Sequence, residues 1–171
     1  MTTHPRDLKY FFPKFPTLSN QRLTLREITP DDIADIVSIS FYDGIPATSE
    51  AEALVMLDKI HSDYQRGESI HWGICLAEKA EVIGTCTFYG GYPHNVAEIG
   101  YVLKEPYRGQ GIMTEAVKLV LEFGFRSMRL SSIMAQTNTE NLKSIGILQK
   151  LGFQEASGEN DNLKFIKHPF A

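Results

Sequence analysis

Residues 98–114, EIGYVLKEPYRGQGIMT, carry the first sign of chemistry. An apolar run from Ile99 to Leu103 breaks at Lys104-Glu105-Pro106, and a loop with two glycines, Gly109 and Gly111, follows. Beyond it, apolar residues stand at Met113, Ala116, Val117, Val120, Leu121 and Gly124. That spacing predicts a helix with one buried face. A strand, a glycine loop and a helix N-terminus in this order cradle phosphate. The first-turn N–H groups have no intrahelical partner, the helix dipole adds partial positive charge, and glycine lets the backbone approach an anion. Two common phosphate motifs do not fit. No Gly-Lys pair occurs anywhere, which excludes a Walker A loop, and Gly109-Gln110-Gly111 lacks the third glycine of a dinucleotide fingerprint.

The pattern that does fit is [QR]-x-x-G-x-[GA], read as Arg108-Gly109-Gln110-Gly111-Ile112-Met113, with Met113 departing at the last position. It resembles the acetyl-CoA pyrophosphate loop of the GCN5-related N-acetyltransferases (GNAT). Two further stretches strengthen the resemblance. Asn141 and Ser144 form an N-x-x-S that precedes Lys150-Leu151-Gly152-Phe153, and Ala97-Glu98-Ile99-Gly100-Tyr101 precedes the loop. Both are similar to the RimJ/RimL-like branch, the ribosomal-protein-alanine acetyltransferases. The resemblance spans roughly residues 22–168.

It implies an enzyme that moves acetyl directly from acetyl-CoA to a primary amine, with a peptide or protein N-terminus as the leading acceptor. A polyamine, aminoglycoside or amino acid is the alternative acceptor, and a non-catalytic acyl-CoA binding or sensing module is the alternative class. It implies a mixed, mostly antiparallel α/β (α+β) sheet with about four flanking helices and central strands that splay to admit the pantetheine arm.

Roles follow from the same resemblance. The amides of Arg108, Gly109, Gln110, Gly111, Ile112 and Met113, with Thr114, hold the pyrophosphate. Strand Tyr101–Leu103 pairs with the pantetheine, and an N–H of Val102 or Leu103 meets the thioester oxygen. Asn141 bonds the pantetheine arm; its plain alternative is a helix cap. The superfamily's proton-donating tyrosine aligns with Leu148, which has no proton to give, and the branch's substitute is Ser144, as acid or sulfur contact. Glu98 is the candidate base, in an apolar setting that would raise its pKa.

Composition sets bounds. The chain has 171 residues, 43% hydrophobic and 22% charged, with net charge −4 and a sequence pI near 5.7. These values disfavour a general nucleic-acid binder. No signal peptide or apolar run of membrane-spanning length is visible, which points to the cytoplasm and away from a membrane partner. Cys75 and Cys86 read as buried free thiols, and the five histidines lack metal-ligand spacing, so no metal is expected.

Positioning elements follow in order. Residues 1–20, rich in aromatics and proline, form an arm packed on the domain or on a partner subunit. Residues 21–168 form one N-acetyltransferase domain. Arg22–Glu27 alternates as a strand, and helices begin at Thr29 and Ser49, the second with Leu54, Leu57, Ile60, His61 and Tyr64 inward. Strands are expected at 71–77, 81–89, 96–103 and 129–136, a helix at 141–151 and a last hairpin from 153–156 and 163–167. The family's acceptor cleft comes from the two early helices and the last hairpin, and His71, Trp72 and Tyr89 are candidate lining residues. A homodimer is compatible with the family.

Overall fold

The computed structural model describes residues 12–159 and 161–169. Ten strands and four α-helices follow the chain as β1 (Leu18–Ser19), β2 (Leu23–Glu27), α1 (Ile33–Ile36), β3 (Phe41–Tyr42), β4 (Ile45–Pro46), α2 (Glu50–Arg66), β5 (Ile70–Leu76), β6 (Gly84–Tyr89), β7 (Val96–Leu103), α3 (Ile112–Arg126), β8 (Ser132–Asn138), α4 (Leu142–Lys150), β9 (Gln154–Glu159) and β10 (Asn162–Lys167). Eight strands make one sheet in the order β1-β2-β5-β6-β7-β8-β10-β9, and β3 pairs with β4 as a separate hairpin.

Every neighbouring pair in the large sheet is antiparallel except β7 and β8. These two are parallel because α3 carries the chain back across the sheet, as parallel pairing requires. Their pairing is brief. It runs from Val96–Ser132 to Glu98–Met134 and stops. Beyond that point β7 stays on β6 as far as Leu103–Gly84, while β8 stays on β10 as far as Asn138–Asn162. The central strands therefore splay into a V, the feature that the family resemblance implies.

Each sheet face has its own core. On one side α3 lays down Ala116, Val117 and Val120, all fully buried, against Trp72, Phe88 and Ile133. Gly124 allows the close approach, since a Cβ there would stand 2.9 Å from the Phe88 ring and 3.0 Å from Ile133. On the other side α1 and α2 bury Ile33, Ile36, Ala53 and Leu57 against Ile28, Cys75 and Val82. The sequence pattern placed Leu54 on the inner face of α2, but Ala53 holds that position and Leu54 is 40% exposed. The stripe runs Ala53, Leu57, Tyr64, and a neighbour one residue on is turned by about 100°.

The first expected helix is broken into 3-10 turns, Pro30–Asp32 and Val37–Ile39, flanking one turn of α-helix. Strand β6 begins at Gly84 and β8 at Ser132, each later than alternation suggested. Of the aromatic arm, Phe12 packs on Phe123, Phe15 on Tyr64 and Trp72, and Leu18–Ser19 adds a strand to β2. Tyr10 and Phe11 lie outside the described residues. Cys75 and Cys86 are buried free thiols.

Candidate active site

The phosphate loop folds as its glycines require. Gly109 and Gly111 sit at φ +75° and +77°, left-handed values that cost an L side chain about 1–2 kcal/mol. Gly111 is the N-cap of α3. Within this turn no carbonyl or side chain among the described residues accepts from the amides of 109–114, whereas Arg108 N–H and Glu115 N–H bond to Glu105 and Gly111. The loop is braced from behind. Arg22 forms an ion pair with Glu115 at 2.7 Å and donates to the Gln110 carbonyl at 3.0 Å, and the Gln110 side chain turns back to the Pro106 carbonyl. Gln110 thus offers its amide alone. The Arg108 Nε donates to the Leu103 carbonyl at 2.8 Å, tying the loop to the end of β7.

In front of the loop the V between β7 and β8 opens into a cleft of about 630 Å³. Its walls are the Tyr101–Leu103 strand end, Gly109, Gly111 and the first turn of α3 to Thr114, and the face of α4 from Asn141 to Lys150. The charged residues lining it are Arg108, Lys143 and Lys150, with no carboxylate among them. The two lysines escaped the sequence reading because helix positions alone do not say which face meets a cleft.

Backbone direction along β7 separates amides that the sequence could not. Lys104 N–H bonds to the Ile83 carbonyl across the β6 ladder. Antiparallel pairs alternate, so Val102 also spends its N–H on β6, opposite Thr85. Ile99 spends its N–H on Met134 of β8, closing the last parallel pair, and the amides of Tyr101 and Leu103 then face the open side of the V. Of the two amides named above for the thioester oxygen, Val102 is turned away and Leu103 is turned in.

On α4, Asn141 is the N-cap, and its side-chain oxygen accepts from Ser144 N–H at 3.1 Å. Capping uses the carbonyl end of the carboxamide and leaves Nδ2 as a donor, and Asn141 lines the cleft. Leu148 is fully buried in the core. The family resemblance thus identified an absent tyrosine at Leu148, and a different tyrosine reaches α4 from β7. The hydroxyls of Tyr101 and Ser144 share a hydrogen bond of 2.9 Å. Burial pushes Tyr101 up to about 12, only partly offset by the bond from Ser144, so its hydroxyl stays protonated at neutral pH. Tyr101 entered the sequence reading through its backbone; strand alternation gave no signal that its ring would reach α4.

A second cavity of about 300 Å³ lies on the opposite face, between α1, α2 and strands β5–β7. Tyr101 and Val102 line both cavities and form the wall where they meet. His71 and Tyr89 line the second one, whereas Trp72 points the other way, fully buried, with Nε1 donating to the Pro16 carbonyl at 2.7 Å. Among the described residues the last hairpin contributes none of the lining. Glu98 stands at the final β7–β8 pair, where the V begins, and opposite Tyr89. Its carboxylate accepts from Gln136 Nε2 at 3.3 Å. Tyr89 leans over Gly100, between Glu98 and the cavity, so close that a Cβ on Gly100 would meet its ring at 2.7 Å.

Residues 22–154 match the family model for the acetyltransferase (GNAT) domain, and the chain belongs to that family. It is an N-acetyltransferase by class. An uncharacterized N-acetyltransferase of Bacillus licheniformis, p20, is 36% identical over 148 residues, covering 81% of this chain and 83% of the relative. The spermidine N(1)-acetyltransferase of Escherichia coli K12 is 30% identical over 104 residues, 60% of this chain and 55% of that protein. In structure, RimJ of Mycobacterium smegmatis, solved in complex with CoA-disulfide, superposes with a TM-score of 0.78 at 20% identity, covering 92% of this chain and 88% of that one. Among the described residues no helix is long and apolar enough to cross a membrane.

Proposed function

We propose that this N-acetyltransferase takes acetyl from acetyl-CoA and passes it directly to a primary amine, with a peptide N-terminus as the acceptor. The observation that carries the reading is the shared wall. A cationic cleft with unspent amides and a partly open cavity on the opposite sheet face meet at Tyr101 and Val102. One side suits an anionic, amide-bearing donor and the other an acceptor, and the acyl group crosses where they touch.

The residues fit acetyl-CoA in three respects. The amides of 109–114, the α3 N-terminus and the nearby Arg108, Lys143 and Lys150 suit a pyrophosphate and its further phosphate. The open edge of β7 offers N–H groups at Leu103 and Tyr101 to the amides of an extended pantetheine arm, as an added strand would be held. Asn141 Nδ2 adds a donor from the facing helix.

The donor's phosphates sit beyond Leu103, so its acyl end lies farther back along β7. Tyr101 N–H is the outward amide at the shared wall, and we assign it, in place of Val102 or Leu103, to hold the thioester oxygen as negative charge develops there. Glu98 takes the proton from the attacking amine through water, because Tyr89 stands between them. The amine nitrogen bonds the acyl carbon as the carbon–sulfur bond breaks. Ser144 gives its proton to the departing sulfur and recovers one from Tyr101, and solvent restores both Tyr101 and Glu98 between turnovers. Transfer needs no covalent enzyme intermediate.

A polyamine acceptor is the second reading, favoured by the relative that acetylates spermidine. A mass-resolved assay with acetyl-CoA against N-terminal peptides, polyamines, aminoglycosides and free amino acids tests both. One acetyl added to a peptide α-amine supports the first reading, and selective polyamine acetylation supports the second. Calorimetry that finds no binding of acetyl-CoA overturns the donor assignment itself.

A further inference from the structure

We infer that the 300 Å³ cavity on the α1–α2 face is an uncharged recognition pocket for an apolar group carried beside the acceptor amine, so that the enzyme selects α-amines on large aliphatic or aromatic residues and rejects polyamines. The inference rests on the acetyl-transfer reading above and goes beyond it by stating what kind of amine is taken.

The pocket's chemistry is on its walls. Apolar residues make most of the lining, Ile28, Ile36, Ile39, Met56, Leu57 and Ile60 among them. No lining residue carries a carboxylate or an ammonium group. Three of the polar members, His71, Thr87 and Tyr89, contact one another, and Ser40 donates to the Ile36 carbonyl. His71 Nδ1 and Thr87 Oγ1 are 3.1 Å apart, and the His71 ring meets the Tyr89 ring edge-on at 5.3 Å. Burial pushes His71 down to about 3, so the imidazole adds no charge at neutral pH.

Carboxylates on the surrounding elements are directed elsewhere. Asp35 accepts from Val82 N–H, Asp63 from the Tyr42 hydroxyl and Glu52 from Thr48, while Glu27 lies 3.9 Å from His61. None of these four lines the cavity.

A spermidine-like acceptor brings a second ammonium, and burying a cation without a paired carboxylate is costly. An apolar side chain meets the opposite situation, since most of the wall it displaces water from is apolar. A cavity of this size is at the small end for ligand sites and suits one side chain. The amine itself can stay at the polar edge, where Thr87, Tyr89 and Tyr101 stand and where the wall to the donor cleft lies. The rim continues the apolar character. Phe41 lines the cavity at 47% exposure, and Ile45, on the facing strand of the same hairpin, is 64% exposed.

The test uses the full chain, acetyl-CoA and peptides that differ only in their first residue, Leu, Phe, Met, Ala, Asp or Lys, with spermidine beside them. Leu-, Phe- and Met-first peptides are expected to exceed the Ala-first peptide by about 10- to 100-fold in kcat/KM, as side-chain burial in an apolar pocket allows. The Asp- and Lys-first peptides and spermidine should fall below it. Equal rates across first residues, or a preference for spermidine, overturn the pocket assignment while leaving acetyl transfer standing. Absence of transfer to every acceptor overturns the reading on which it rests. Met56→Glu places a carboxylate on the half-buried wall, with Met56→Gln as the neutral match. Where both keep the thermal midpoint of the parent, the Glu variant should lose the apolar preference at least about tenfold relative to Gln and gain spermidine turnover. An unchanged acceptor profile in the Glu variant overturns the inference.

Discussion

At the scale of single residues, the site turns on one hydroxyl pair. Ser144 alone is a poor acid, since a serine hydroxyl holds its proton far above neutral pH. It is joined to Tyr101 at 2.9 Å, and in the proposed mechanism it is the near end of a two-member proton path. Tyr101→Phe keeps the ring that walls both cavities and removes only the far hydroxyl. It should lower kcat about 10- to 100-fold, with the acetyl-CoA Kd unchanged by calorimetry. Ser144→Ala should give a similar drop, and the double variant little more, because residues acting as one unit are not additive. Full activity in either single variant would leave the pair a packing contact. Glu98→Gln tests the base. The loss should be greatest on the acid side of the pH profile, where neutral amine is scarce, and about 10-fold or more there. A profile of unaltered shape would retire Glu98 from the chemistry.

The elements set where those residues stand. β7 serves two neighbours in turn, β8 up to Glu98 and the open V thereafter, and the loop that ends it is held by Arg22 and Arg108. Gly111→Val forces a β-branched residue into the left-handed N-cap of α3 and should raise the KM for acetyl-CoA about tenfold or more at nearly constant kcat. A KM unchanged by this substitution would remove the loop from donor binding. The far end of α3 tests packing alone. Gly124→Ala drives a methyl into Phe88 and Ile133 and should cost about 1–3 kcal/mol in urea unfolding. Its effect on KM should be small, since α3 meets the donor cleft at its other end.

Across the whole molecule, a polar tie joins β2 to the helical turn that follows it. Arg26 grips Asp32 with a two-pronged contact at 2.9 and 2.8 Å and also reaches the Ala80 carbonyl, while Thr29 N–H donates to the same carboxylate. Burial by itself would raise the Asp32 carboxyl, but Arg26 and Thr29 together hold it below the ordinary range. A carboxylate depressed in the folded state stabilises fully above its unfolded pKa of about 3.9, and that stabilisation is lost as pH falls through the lower folded value. The parent protein should therefore weaken on acidification below about pH 4. Asp32→Asn should cost about 2 kcal/mol at pH 7 and show a shallower decline into acid. Parallel acid profiles for the two proteins would show that the tie carries no such linkage.

Much of this molecule is local physics and is therefore legible in its residues. The glycines at 109 and 111, the apolar face of α3, the cap at Asn141 and the alternation of β2 each follow from a few neighbouring positions. The family could be named from three short motifs in order, because a phosphate cradle and its facing helix need particular residues at particular steps. What the chain order does not carry is who meets whom across the sheet. The Tyr101–Ser144 bond joins residues 43 positions apart, and only the crossing of α4 over the V brings them together. The turning of the Val102 amide to β6 depends on ladder phase, which one residue of slip would reverse. The uncharged pocket exists because α1 and α2 direct Asp35, Asp63 and Glu52 to other partners, a choice made by packing. Sequence by itself determined the class of chemistry and the glycine turn that opens α3. Tertiary structure alone decided which amide, which hydroxyl and which side of the sheet are available to carry it out, since those depend on contacts between segments distant along the chain.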